Sequence, residues 1–463
     1  MRHSLVLLPL LVPAGLAAQS PPPVPPGSTD PRLAQIVAAP SAQRLAADLR
    51  TLVGFGTRHT LSDTLSATRG IGAARRWIHA ELGRISAACG GCLEVRYVSE
   101  IYQPRNRVPV PTNVVSVIAI QRGATDPGRV LVMSGHFDSR VSDTLNATDS
   151  APGANDDGSG TVAVIEAARV LSRHRFNATI VYATLAGEEQ GLLGGQTLAR
   201  MARDSGWLVE GNLNNDIVGN TRGGDGITDD RMIRVLSDGT PPTETDSARC
   251  ARRSTGGEVD GISRQLARYV HVIARRHVPS MDVWMIYRLD RFGRGGDHRA
   301  FADLGFPAVR LSEGHEDYTR QHQDIRVENG IAYGDVLEGV NFDYLARVTA
   351  LNAASLASLA WAPGPVRNAY ITGGGQYAAS LRWEPPADST TVARYRVYWR
   401  RTDSPTWDHV EDVSGATRYE ATGRVIDNWF FGIASVSREG HESTVAFPIP
   451  APRARQRAAA PCP

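Results

Sequence analysis

Two hydrophobic rhythms run along the first three-quarters of the chain. From residue 32 to about 110 apolar side chains recur at helical spacing, as Ala46, Leu49, Leu52 and Val53, then as Ala73, Trp77, Ile78 and Leu82, with a loop at 54–60 (GFGTRHT) between them. From about 112 the text changes to β-branched runs at 113–120 (NVVSVIAI), 129–133 (RVLVM) and 178–184 (ATIVYAT), which predict strands. Residues 159–172 and 191–202 predict helices, 306–311 a short strand, and 331–361 a long helix or helix pair. Strands that are apolar on both faces and alternate with helices imply an α/β fold: a mainly parallel, mixed sheet flanked by helices. Residues 221–261, rich in Gly, Thr, Asp and Arg, break this rhythm and read as an insertion or long loop.

A third pattern starts after Pro363-Gly364-Pro365, where 380–383, 394–400, 429–436 and 443–447 read as short strands. Tyr395, Val397 and Trp399 alternate with Arg394, Arg396 and Arg400, so one face of that strand is buried. Segment 363–450 resembles a fibronectin type III domain in Trp383 ahead of Pro385-Pro386, in the run RYRVYWR, and in Trp429, Phe431, Ile433 and Val436 ahead of Gly440. The resemblance implies an all-β sandwich that needs no disulfide. Such a module serves as an accessory that contacts a polymer, a surface or the catalytic domain.

The ends carry address information. Arg2 precedes an apolar stretch over 5–18 that Pro9 and Pro13 interrupt, and it falls short of the ~20 residues a bilayer span needs. Residues 1–18 therefore read as a secretory signal peptide, 19–31 (QSPPPVPPGSTDP) as a Pro-rich linker, and 451–463 as a disordered tail. The expected location is secreted or periplasmic, with no membrane span. Export means oxidising conditions, so Cys89-Gly-Gly-Cys92 reads as a local disulfide in preference to half a zinc site or a redox dithiol, since no second CxxC or nearby His accompanies it, while the pairing of Cys250 with Cys462 stays open.

Composition removes several function classes. At 463 residues the chain holds more than one domain. Its net charge of +2 argues against an obligate nucleic-acid partner. All 50 basic residues are Arg and none is Lys, which excludes a Walker-type phosphate loop, a pyridoxal Schiff base and any Lys nucleophile. No H-E-x-x-H occurs, since His315-Glu316 is followed by Thr319, and no G-x-S-x-G surrounds Ser159, since position 157 is Asp.

What remains is a set of acids and histidines at or just after predicted strand ends. RVLVMSG leads into His136-Phe137-Asp138; GANDDGSG, holding Asp156, opens a helix; ATIVYATLAG leads into Glu188-Glu189; and GNLNN leads into Asp216. Open α/β sheets bind ligands beyond the carboxyl ends of their strands, so these positions converge. Histidine and carboxylate donors without thiolates suit zinc, or less selectively manganese or cobalt. Two divalent ions ~3.5–4 Å apart need an anionic bridge, which a carboxylate on a turn can supply.

GHFDS, GANDDGSG, GEEQGLLG and NNDIVG, in this order and spacing, resemble the M28 family of zinc aminopeptidases over roughly residues 40–360. The resemblance implies two Zn2+ per chain: His136 and Asp216 at one ion, Glu189 and a late histidine at the other, and Asp156 bridging them. Glu188 would be the general base. Asp138 would accept the other N–H of His136 and fix its tautomer. For the late histidine His298, His315 and His322 are candidates. His322, in Arg320-Gln321-His322-Gln323-Asp324, resembles the family's ligand segment, whereas Asp297-His298 resembles a supporting pair. The implied activity is removal of N-terminal residues from peptides or proteins with a free N-terminus. Alternatives are a mono-zinc glutaminyl cyclase, which the full five-ligand set disfavours, a carboxypeptidase of the same family, and a receptor-like protein without catalysis.

Overall fold

A computed structural model describes residues 27–451. The expected signal peptide, the expected linker up to residue 26 and the expected tail from 452, with Cys462, lie outside the described residues.

Eight strands build the main sheet: β1 (Glu94–Tyr102), β2 (Thr112–Gln121), β3 (Asp126–His136), β4 (Ala178–Leu185), β5 (Leu208–Asn215), β6 (Met232–Ser237), β7 (Asp282–Ile286) and β8 (Ala308–Glu313). Their order is β1-β2-β4-β3-β5-β8-β6-β7. The central four, β4-β3-β5-β8, run parallel, and the sheet is mixed because β2 joins β4, and β6 joins β8, in the antiparallel sense. Every residue of β4 is buried, as expected for a strand covered on both faces. Alternate residues of β3 serve the two faces. Leu131 and Met133 join the core that holds α1 (Pro31–Ala38), α2 (Ala42–Val53), α3 (Gly70–Ala88) and α4 (Gly160–Leu171). Val130 and Val132 pack with Leu198 and Ala199 of α5 (Leu193–Asp204) on the other face.

Three expectations need correction. Residues 221–261 are not all loop: they contain β6 and the helix α6 (Asp246–Thr255). Because α6 buries none of its residues, it carries no apolar stripe to read. Residues 331–361 are not a single long helix or a helix pair. Asn329 and Gly330, both at positive φ (52° and 78°), turn a small hairpin of β9 (Arg326–Glu328) and β10 (Ile331–Tyr333), the geometry that Asn-Gly favours in a two-residue loop. After α7 (Ile262–His277) and α8 (His298–Ala302), the last helix, α9, starts only at Phe342 and ends at Trp361; Asn341 caps it by accepting from the Tyr344 N–H at 3.1 Å. Finally, 443–447 makes one isolated bridge, Ala446 to Ile433, rather than a strand.

Beyond Pro365 two further sheets form. One is β15-β12-β11-β17 and the other β14-β13-β16, from β11 (Arg367–Thr372), β12 (Ala378–Glu384), β13 (Arg394–Arg401), β14 (His409–Val413), β15 (Arg418–Thr422), β16 (Trp429–Val436) and β17 (Ile449–Pro450). Leu381, Trp383, Val397, Trp399, Phe431 and Ile433 form the core they share. These strands sit against α7 through buried charge. Asp260, just ahead of α7, receives Arg268 of α7 at 2.8 Å and Arg400 of β13 at 2.7 Å. Glu442 receives Arg276 of α7 and Arg396 of β13, both at 2.7 Å. Removing one member of such a pair strands the others without a counter-charge. Asp260→Asn is expected to lower the free energy of unfolding by about 3–5 kcal/mol, measured by urea denaturation; a change within about 0.5 kcal/mol would show that the network adds nothing.

A disulfide joins Cys89 to Cys92 just past the end of α3. Among the described residues no helix is long and apolar enough to cross a membrane.

Candidate metal centre

The carboxyl ends of β3, β4 and β5 open on one side of the sheet, and the chain delivers an acid or a histidine at each. His136 is the last residue of β3, Glu188 and Glu189 follow β4, and Asp216 follows β5. Asp156 sits on the irregular turn that leads into α4, between Gly153 and Gly160. Gly153 has a left-handed backbone (φ 49°), which a glycine adopts without steric cost. Gly160 lies so close to β5 that a Cβ would stand 2.3 Å from the Asn215 carbonyl oxygen.

Neighbouring acids clamp this turn. Asp335 accepts from the N–H groups of Asn155 and Asp156 at 2.9 and 2.7 Å. Asp157 accepts from the His136 N–H and the Gly160 N–H, each at 2.9 Å. Glu313, at the end of β8, accepts from the Asn155 amide at 2.8 Å. Burial pushes the Asp335 carboxyl up to about 7 and that of Glu313 up to about 8.

Five of the expected residues meet. The Asp156 carboxylate divides its oxygens, Oδ1 lying 3.3 Å from His136 Nε2 and Oδ2 3.0 Å from His322 Nε2. His322 Nε2 is also 3.0 Å from Glu189 Oε1, and His136 Nε2 is 3.9 Å from Asp216 Oδ2. Donor atoms of His136, Glu188 and Asp216 lie within 4.8 Å of one another, as do those of Asp156, Glu189 and His322. His136 Nδ1 faces the Asp138 carbonyl oxygen at 3.1 Å, which leaves the Nε2 lone pair turned towards carboxylates. Neither His136 Nε2 nor Glu189 Oε1 has a hydrogen-bond partner, although both are buried. Buried polar atoms are rarely left so, and lone pairs aimed at one another call for a cation between them. The donor set fits zinc.

The other two histidines lie elsewhere. His298 Nε2 meets the Leu289 carbonyl at 2.8 Å, and His315 Nδ1 meets Asp225 at 2.8 Å. Asp138 holds a position different from the expected one. Its main-chain carbonyl takes the His136 N–H, while its carboxylate stands 3.5 Å from that nitrogen. The carboxylate instead accepts from the N–H groups of Glu188 at 3.3 Å and Glu189 at 3.2 Å, and from the Thr60 hydroxyl at 3.0 Å. It thereby pins the turn that presents both glutamates.

The model of peptidase family M28 matches residues 116–329, which enclose this constellation. A "probable zinc metalloprotease" of Pyrenophora teres f. teres is 44% identical over 92% of this chain and 88% of its own length. Another, of Leptosphaeria maculans, is 44% identical over 89% of this chain and 95% of its own. The chain belongs to peptidase family M28. Among solved structures the LapA aminopeptidase of Legionella pneumophila superposes with a TM-score of 0.52 at 17% identity, covering 75% of this chain and 78% of that one. LapB of the same organism gives 0.53 at 19%, over 73% and 77%. At these identities the likeness is one of fold.

Within this M28 chain two arginines stand behind the acids in places the motifs did not reveal. Arg310, fully buried in β8, reaches Asp216 Oδ1 at 2.8 Å. Arg140 reaches Glu189 Oε2 at 2.8 Å and His322 Nδ1 at 2.6 Å. Each holds one outer oxygen of a carboxylate and leaves the inner one directed at the centre. A charged residue in the middle of the apolar run AVRLSE was the available signal for Arg310.

Proposed function

We propose that the chain is an exported di-zinc aminopeptidase that removes residues from peptides with a free N-terminus. The observation that carries this reading is the divided carboxylate of Asp156, one oxygen facing His136 and the other His322, which is the arrangement that two cations in one pocket require. His136 and Asp216 would hold one ion, His322 and Glu189 the other, with Asp156 shared. When bound, the ions supply Lewis acidity to the attacking water and to the scissile carbonyl.

Glu188 faces the same cavity. Burial pushes its carboxyl well above the usual range, Asp216 and Glu189 add to the shift, and His136 opposes it. A carboxylate of raised basicity takes the proton of the attacking water and returns it to the leaving nitrogen. Asp138 keeps Glu188 in place through its main-chain N–H. The preference for a free N-terminus follows the likeness of the four motifs to M28 aminopeptidases. Export follows from the signal-like start and is consistent with the Cys89–Cys92 disulfide.

The test is a panel of aminoacyl-p-nitroanilides offered to zinc-loaded protein, alongside N-acetylated counterparts. Turnover of the free-amine forms alone is expected; equal turnover of blocked substrates removes the aminopeptidase reading. Metal analysis is expected to find about two zinc ions per chain, and Asp156→Ala to fall below one because both sites lose a donor. Retention of two ions by that variant would contradict the bridging role.

A further inference from the structure

The centre opens into a cavity of about 610 Å3 whose outer wall is basic. Five arginines face it: Arg107, Arg140, Arg291, Arg294 and Arg299. Arg140 is committed to Glu189 and His322. Arg107 donates to the main-chain carbonyl of Glu189 at 2.9 Å and meets no carboxylate among the described residues. Arg291 pairs with Asp290 at 3.3 Å, and Arg291 and Arg294 also reach one acid in common, Glu316, at 3.2 and 3.4 Å, with which Arg234 already pairs. The guanidinium of Arg299, on α8, meets no acid and no hydrogen-bond acceptor among the described residues, and its Nε is buried without a partner.

The four carboxylates of the cavity, Asp156, Glu188, Glu189 and Asp216, belong to the metal centre and are offset by two divalent ions. The charge left over in the loaded cavity is that of the two arginines that meet no acid among the described residues, Arg107 and Arg299, with Arg294 sharing Glu316. A guanidinium beside a cavity prefers a carboxylate, which it meets with paired, charge-assisted hydrogen bonds. An apolar side chain would cover that guanidinium and leave its N–H groups unsatisfied, at a cost in free energy. The only aliphatic side chain on the wall is Leu192.

Resting on the peptidase reading above, we propose that the cavity selects substrates with a carboxylate close to the scissile bond, received by Arg299 with Arg294 behind it. Two parts of a peptide present such a group: the side chain of an N-terminal Asp or Glu, and the α-carboxylate of a dipeptide. The experiment is a kcat/KM comparison on the zinc-loaded full chain and on Arg299→Gln. Glu- and Asp-p-nitroanilide are set against Leu-p-nitroanilide, and Leu-Ala against Leu-Ala-amide. In one of the two arms the acidic member is expected to lead by about 10-fold or more, and Arg299→Gln to cut that ratio about 10- to 100-fold, mainly through KM. The arm that responds identifies the source of the carboxylate. Turnover with neither acidic member favoured, or a ratio that Arg299→Gln leaves unmoved, overturns the proposal and leaves the peptidase reading standing. If no substrate is turned over, the peptidase reading falls, and calorimetric titration with L-glutamate, L-leucine and L-leucinamide decides: binding of either carboxylate-bearing ligand tighter than that of L-leucinamide, and lost in Arg299→Gln, supports the basic wall, and equal binding of all three overturns it. Should Arg299→Gln fail to fold by circular dichroism, Arg294→Gln is measured in its place against the same outcomes.

Discussion

Replacing Glu188 by Gln is expected to lower kcat by about 10²- to 10⁴-fold, the range that general acid–base catalysis supplies, while zinc content stays at the wild-type level. The exchange keeps the volume of the side chain and removes its capacity to take a proton. The main-chain N–H that Asp138 holds at 3.3 Å is untouched, so the turn keeps its shape. Zinc content is the informative control, because donor atoms of Glu188, His136 and Asp216 lie within 4.8 Å of one another. Loss of activity together with one ion would make Glu188 a ligand. Loss of activity with both ions retained makes it the base. Near wild-type turnover would remove it from the mechanism.

Chelation is expected to end turnover and to lower Tm, with a gap between loaded and metal-free protein that widens from about pH 5 to about pH 8. The sign follows from where the protons sit. In the metal-free fold burial lowers the His322 pKa, but Glu189 and Asp156 outweigh it and push the imidazole up to about 10. Burial, helped by the nearby Glu316, pushes Glu313 up to about 8, and burial, helped by the nearby Asp156, pushes Asp335 up to about 7, against the hydrogen bonds each accepts. All three groups hold protons in the fold that the unfolded chain releases at lower pH. The stability they add is fully present below their unfolded values and is lost as pH rises through the folded ones. Metal-free protein should therefore weaken over this window, and of the three groups it is His322, the zinc ligand, whose proton is lost on loading and which opens the gap. Zinc moves the balance the other way, since it takes the place of the protons on its ligands and binds more tightly as pH rises. At a free concentration of 1,000 times Kd a single ion adds about 4 kcal/mol. Scanning calorimetry at several pH values checks this, and a gap that stays constant or narrows would contradict it.

Much of the site could be read in the sequence because it lies at strand ends. Residues 129–133 and 178–184 announce β3 and β4 by their β-branched runs, so the sequence places His136 and Glu188-Glu189 at or just past the carboxyl ends of strands. The late histidine was harder. His322 lies in a loop with no periodic signal, and its left-handed backbone (φ 54°) is not something a histidine advertises. Arg140 was missed as a partner because a contact between an arginine and an acid dozens of positions away leaves no local pattern, and the apolar run around Arg310 marked it as buried without saying which acid it meets. Asp138 shows a related limit: spacing brings it near His136 but does not say whether the carbonyl, at 3.1 Å, or the carboxylate, at 3.5 Å, lies nearer the imidazole. In the fold the misses were polar. Helix α6 and edge strand β7 bury little, and hydrophobic rhythm reports only what is buried.

The charges shared between α7 and β13 bear on how such an architecture can be inherited. Asp260 is wholly buried and satisfied from both sides of the seam, by Arg268 of α7 and by Arg400 of β13. A gene that lost the codons beyond Pro365 would keep the aspartate with half its partners. A gene that spliced these strands onto an unrelated enzyme would carry Arg396 and Arg400 into a surface that does not answer them. The C-terminal strands are thus no portable cassette, and α7 and β13 must change in step from one descendant to the next.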